Sequence, residues 1–168
     1  MGYTHYYRKP NGTVGYHEAL PIIRQILERY KDIVQFECND DSKPICDDEQ
    51  IRFNGFEKNG YETFVFNNSA EAFDCCKTGR KAYDVVVCEC LIILNHFIPK
   101  LEISSDGMCG YTQDELPSFG ISSIVRKPDG TWAEAIANVK EHYDIDYKPI
   151  CVEVRNEGKY YDWELVLQ

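Results

Sequence analysis

The sequence predicts an α+β fold in the ferredoxin-like βαββαβ order, an antiparallel sheet carrying two helices, followed by a smaller α+β extension. Three observations predict it. Apolar residues recur at helical spacing from His17 to Tyr30, as Leu20, Ile23, Ile26, Leu27 and Tyr30. Short alternating runs, QIRFNGF and YETFVFNN, flank a Lys58-Asn59-Gly60 turn and read as a hairpin. A second helical segment, 82–97, stands between that hairpin and the strand-like LEISSDG, so the order is strand, helix, strand, strand, helix, strand.

The opening GYTHYYRK alternates as a strand, with Tyr3, His5 and Tyr7 on one face and Thr4, Tyr6 and Arg8 on the other. Pro10, Asn11 and Gly12 end it. In the hairpin, Gly60 is expected to supply a positive φ for the turn. The segment Tyr83–Phe97 is ambiguous, because Val85, Val86 and Val87 favour a strand. Its length and the spacings Val87/Leu91/Leu94 and Val86/Cys90/Ile93/Phe97 favour a buried helix, which Pro99 closes. Residues 1–107 form the expected core domain and 108–168 the extension packed on it. In that extension MCGYTQDELPSFG reads as loop and ISSIVRK as a strand. A helix follows from about Trp132 to Tyr143 with Ile136, Val139 and Tyr143 inward, and CVEVRN and KYYDWELVL form a terminal hairpin.

Composition narrows the function classes. A chain of 168 residues buries roughly two thirds of its unfolded surface and supports its own core. Twelve Tyr and eight Phe argue against disorder. A formal net charge of −10 argues against direct nucleic-acid binding by phosphate neutralisation. It suits instead a solvated surface or a basic protein partner approached by electrostatic steering. The acid is concentrated between Glu37 and Glu49, including Asp40, Asp41, Asp47 and Asp48. No apolar leader or membrane-length run is present, so the expectation is a soluble, unexported, cytoplasmic protein with no membrane partner. On that reading all eight cysteines are reduced; they show no CxxC and no zinc-ligand spacing, so no metal or other cofactor is expected. Cys88 and Cys90 read as small buried hydrophobes.

The motifs MGYTHYY, FNG followed by YETF, CKTGRKAYDVVVCECLI and ISSDG resemble an uncharacterised family of small proteins from bacteria, prophages and phages. Members open with MGYTHYW and carry CKTxRKPYD before an apolar helix. The similarity covers roughly residues 1–107. Tyr7 stands where the family has Trp, and Ala82 where it has Pro; a proline there suits a first helical position and places the helix start near Lys81. The resemblance implies no established activity, and the C-terminal third inherits nothing from it.

Three functional readings follow. Lys77, Arg80 and Lys81 put three cations where a helix is expected to begin, against its dipole, which calls for a nearby anion. A phosphate-bearing ligand would be held by Thr4, His5, Tyr6, Asn54, Lys77, Thr78, Arg80, Lys81 and Asp106, with Ser104 and Ser105 nearby. The plainer alternative is that Arg80 and Lys81 pair with Asp74, Asp84 or Asp106. His5, Cys76 and Asp84 contain a base, a nucleophile and an orienting acid, but no recognised catalytic pattern accompanies them. The third reading is preferred: a non-enzymatic acidic binding protein, an inhibitor of a host defence system of the kind phages carry. Its partner is a host protein, one with a nucleic-acid groove among the options. The acidic residues above and the aromatic anchors Tyr160, Tyr161 and Trp163 would serve it. The phosphorylated small molecule is the runner-up partner, and oligomeric state is not legible.

Overall fold

The computed structural model describes residues 3–9, 12–69, 73–107 and 128–147, together with the backbone of 150–155 and 161–166. Its strands pair antiparallel throughout the described residues. Strand β1 (Thr4–Arg8) opens the chain, and helix α1 (Tyr16–Arg29) follows. Four strands come next, β2 (Val34–Gln35), β3 (Ile45–Cys46), β4 (Gln50–Gly55) and β5 (Phe64–Asn67), then β6 (Phe73–Lys77), helix α2 (Asp84–Phe97) and β7 (Glu102–Ser105). The described remainder is helix α3 (Gly130–Tyr143) and the hairpin β8 (Ile150–Arg155) and β9 (Tyr161–Val166). The fold is thus mixed α and β, as expected.

The strands fall into separate sheets. β1 lies between β6 and β7 and is antiparallel to both, with His5 opposite Cys76 on one side and Ser105 on the other. The expected hairpin exists as β4–β5, with Phe53 opposite Phe64, but it belongs to a second sheet with β2 and β3. These pairings do not establish the ferredoxin-like order, because the hairpin does not join β1. Strand β6 was not anticipated: FDCCK has no clean alternation, and only Cys76 within it is buried.

Helix α2 is the spine of the molecule. Every residue from Asp84 to Asn95 is buried, which explains why three consecutive valines tolerate a helix: burying each side chain contributes about 1.5–3 kcal/mol, more than the difference in intrinsic propensity. Helices α1 and α3 pack against it, and Trp132, Ala135 and Val139 of α3 belong to the same buried cluster as Ile23, Ile26 and Leu91. Val139 is inward as expected, whereas Ile136 and Tyr143 are only partly buried. Asp129 caps α3 by accepting from the Trp132 amide at 3.1 Å.

Two turns differ from expectation for steric reasons. Gly60 is extended, with φ −88°, and the positive φ in this turn falls on Glu57, at 42°. Glycine is required at 60 because a Cβ there would lie 2.6 Å from the Gly55 carbonyl oxygen. The start of α2 is also displaced: it begins at Asp84, and Gly79 and Arg80 precede it in left-handed conformations, φ 59° and 58°. The loop MCGYTQDELPSFG, the strand ISSIVRK, Pro10, Asn11 and Tyr160 lie outside the described residues. Tyr161 and Trp163 sit on β9 opposite Arg155 and Glu153. No described helix is long and apolar enough to cross a membrane.

Candidate functional site

The motifs THYY, CKTGRKAYD and SSDG meet at one end of the β6–β1–β7 sheet. Pairing brings them together: the backbone amides of Thr78 and Gly79 donate to the Tyr3 carbonyl at 3.1 and 3.3 Å, and that of Asp106 donates to the Thr4 carbonyl at 2.9 Å. The Thr4 amide in turn donates to the Asp106 carboxylate at 3.0 Å. The assembly has a buried layer and an exposed layer, and the two have different chemistry.

The buried layer is a directed hydrogen-bond chain. Ser105 Oγ accepts from the Gly107 amide and from the Trp132 indole N–H, each at 3.0 Å. A hydroxyl oxygen has two acceptor positions and one hydrogen. With both acceptor positions taken, the Ser105 hydrogen goes to His5 Nδ1, 2.7 Å away. His5 therefore carries its own proton on Nε2 and donates it to Asp84 Oδ1 at 2.7 Å. Thr78 Oγ1 donates to the same carboxylate oxygen at 2.6 Å. His5 and Thr78 are fully buried, and Ser105 and Asp84 are 2 % exposed. The other Asp84 oxygen, Oδ2, is buried with no partner among the described residues.

The position of Asp84 answers the question the cations raised. It is the first residue of α2, so the chain itself places a carboxylate at the positive end of the helix dipole. Lys77 ends β6, and Arg80 and Lys81 occupy the loop before the helix. The premise of three cations at a helix start is therefore corrected.

His5 Nε2, an Asp84 oxygen and Cys88 Sγ also lie within 4.8 Å of one another, a three-donor group of metal-ligand types. The chemistry of the donors opposes that use. A metal needs the Nε2 lone pair and a thiolate. Nε2 holds the proton shared with Asp84, while burial, and then the charge of Asp84, push the Cys88 thiol well above its ordinary range. The group acts as a hydrogen-bonded network.

The catalytic trio is only half assembled. His5 and Asp84 meet, but Cys76, though directly across the strand pair from His5, points its thiol at the Glu62 carbonyl. Cys76 is fully buried, and burial pushes its thiol far upward. Despite the cations close to it in sequence, the thiol is therefore not an activated nucleophile.

The exposed layer holds the cations. Arg80 stacks over the Tyr3 ring at 4.0 Å and pairs with Asp129 at 3.1 Å, on the carboxylate oxygen that also accepts from the Tyr3 hydroxyl at 2.6 Å. Its partner is thus neither Asp74, Asp84 nor Asp106. Lys81 donates to the Lys58 carbonyl at 3.1 Å, and Lys77 lies over the exposed Tyr61 ring at 5.7 Å. Asn54 is not part of this surface: its amide nitrogen donates to the Tyr61 carbonyl and to Thr63, and its oxygen accepts from the Gly55 and Tyr61 amides. It braces the 55–63 turn. Thr4 is buried, and Tyr6 stacks on exposed Phe73 on the sheet face away from His5.

The acidic residues lie in the β2–β3 and β3–β4 connections. Asp40, Asp41, Asp47 and Asp48 are all exposed. Hydrogen bonds from Ser42, its side chain first and then its amide, hold the Asp40 carboxyl below its usual range, and those from the Gln50 and Glu49 amides do the same for Asp47. Asp48 faces His17 at 3.5 Å. Sequence reasoning placed Tyr3 on the His5 face of the first strand but not at the site, and it missed Asp129 and Trp132 there, which come from a distant segment and carry no local signal. A groove of about 350 Å³ lined by Val14, Phe97, Ile98 and Pro99 sits at the opposite end of α2 and holds none of the predicted site residues. Comparison with models of known families, with curated proteins and with solved structures finds no match.

Proposed function

We propose that the chain is a non-enzymatic acidic binding protein, a phage-type inhibitor of a host defence system that docks its acidic loops on a basic host protein. One observation carries the reading, the division of chemistry between interior and surface. His5, Cys76, Asp84 and Cys88 are sealed inside, so substrate has no access to them. Asp40, Asp41, Asp47 and Asp48 are exposed, and none pairs with Lys or Arg among the described residues. Four exposed carboxylates, two of them fixed in place by backbone amides that donate to Asp40 and Asp47, form an anionic surface that speeds encounter with a basic partner. The resemblance to phage and prophage proteins supplies the setting. The test is capture of host proteins by the immobilised chain at low salt. Wild type should retain a basic protein that elutes as salt rises, and D40N/D41N/D47N/D48N should retain at least tenfold less. Asparagine keeps the turn-forming acceptor. Equal retention by the variant would refute the reading.

A second reading rests on Lys77, Arg80 and Lys81 bordering the exposed Gly79 beside Tyr61. Here the partner is a phosphorylated small molecule, bound by the loop cations. Native mass spectrometry of the purified chain separates the two: a retained phosphate compound lost in R80A/K81A supports the ligand, and a bare protein mass supports the protein interface.

A further inference from the structure

We propose that His5 is a proton-controlled latch on the start of α3. The uncharged imidazole accepts the Ser105 hydrogen, and this leaves both Ser105 acceptor positions to the Gly107 amide and the Trp132 indole. Protonation puts a hydrogen on Nδ1. Three donors then converge on one oxygen with two acceptor positions, and the Ser105 hydrogen loses its acceptor. One donor must leave. The backbone amide of Gly107 is held in the chain two residues away, where a Cβ would already collide with Tyr3. The indole belongs to a separate helix and is the group that yields.

Asp84 is the carboxylate that a charged ring would meet, 2.7 Å from Nε2. Its carboxylate is buried, and Oδ2 has no described partner, so the resting pair of neutral imidazole and carboxylate leaves a net negative charge in the interior. A proton on His5 converts it to an ion pair. The groups facing the ring are Asp84 and Cys88 from α2, Ser105 from β7, Tyr3 just before β1 and Trp132 from α3, the last two edge-on at 5.3 and 5.4 Å. Cys76 of β6 is the register partner of His5 with its thiol turned to the Glu62 carbonyl, and Asp129 and Arg80 lie one side chain further out through Tyr3. Among these only Asp84 is an anion in direct contact. Acidification therefore frees the Asp129–Trp132 end of α3, while Asn138, bonded to Glu89 and Tyr30, keeps the middle of the helix docked.

The wild-type chain tests this by nuclear magnetic resonance of the His5 ring nitrogens and the Trp132 indole N–H, assigned with W163F. At neutral pH His5 should be the Nε2–H form. On acidification Nδ1 should gain a proton, and the Trp132 N–H should shift and lose exchange protection with the same midpoint, before the chain unfolds. In S105A the His5 ring should titrate without a coupled Trp132 change. An Nδ1–H ring at neutral pH, a Trp132 signal indifferent to His5 protonation, or no protonation before global unfolding would overturn the latch.

Discussion

Glu89, fully buried near the middle of α2, is ion-paired with Arg29 at the end of α1. Its other carboxylate oxygen accepts from the Tyr30 hydroxyl at 2.8 Å and from the Asn138 amide at 2.9 Å. One carboxylate therefore ties all three helices together, and Arg29 also lies over the Tyr30 and Tyr143 rings at 5.0 and 5.6 Å. A buried ion pair adds little over an apolar pair of the same shape, but removing one partner strands the other.

Arg29→Met should accordingly destabilise the fold by about 2–4 kcal/mol, somewhat less than for a fully buried pair because the arginine is a quarter exposed. Adding Glu89→Leu to it should recover part of the loss. Urea unfolding of the two variants checks the order, and a double variant less stable than the single would contradict it.

Gly15 precedes α1 with φ 101°, and a Cβ there would lie 1.9 Å from the Phe97 carbonyl oxygen at the end of α2. Both elements are backbone, so neither can swing aside. Gly15→Ala should cost at least about 2 kcal/mol by combining strain with the collision. Gly12→Ala, also at positive φ but with nothing within 4 Å, should cost about 1 kcal/mol. A melting temperature for Gly15→Ala no lower than that for Gly12→Ala would be the contrary result.

Arg80 holds a left-handed backbone and a side chain that is 58 % exposed. The pair with Asp129 is screened and contributes under about 1 kcal/mol. Arg80→Ala loses that pair and keeps the strain, whereas Arg80→Gly loses the pair and relieves it. The glycine variant should be the more stable of the two by about 0.5–1 kcal/mol. The reverse ranking in chemical denaturation would mean the φ conflict has no energetic weight.

Alkaline pH should destabilise the protein. Burial pushes the Cys46 thiol from 9.0 to about 11, and burial followed by the Glu89 hydrogen bond pushes Tyr30 from 10.0 to about 12. A raised folded value means the folded state holds its proton longer, so the contribution is complete below the unfolded value and is lost as pH rises through the folded one. Denaturation midpoints should be level between pH 7 and 8 and fall from about pH 9 upward. Among the described cysteines, a thiol reagent on native protein should label exposed Cys75 first, with Cys76, Cys88 and Cys90 protected until unfolding. Midpoints that hold constant to pH 11 would argue that these groups are not desolvated.

Periodicity and segment length determined the helices: the repeat at 20, 23, 26, 27 and 30 located α1, and the spacings Val87/Leu91/Leu94 and Val86/Cys90/Ile93/Phe97 located α2 to within two residues of its observed start at Asp84. Alternation determined β1 and its two faces, and the β4–β5 hairpin with it. These are local signals, because a helix or strand buries one face whatever lies opposite. Pairing between distant segments was settled only by the tertiary structure. β6 is held by β1 and has little pattern of its own, and the hairpin joined a second sheet because β1 was already flanked by β6 and β7. The same holds at the site. The sequence singled out His5, Thr78, Asp84 and Arg80, but their roles depend on Ser105, Trp132, Asp129 and Tyr3, which are brought close only by the fold. A histidine becomes a neutral hydrogen-bond donor, and a thiol beside cations becomes an inert one, through burial and partner geometry, and neither quantity is written in residue spacing.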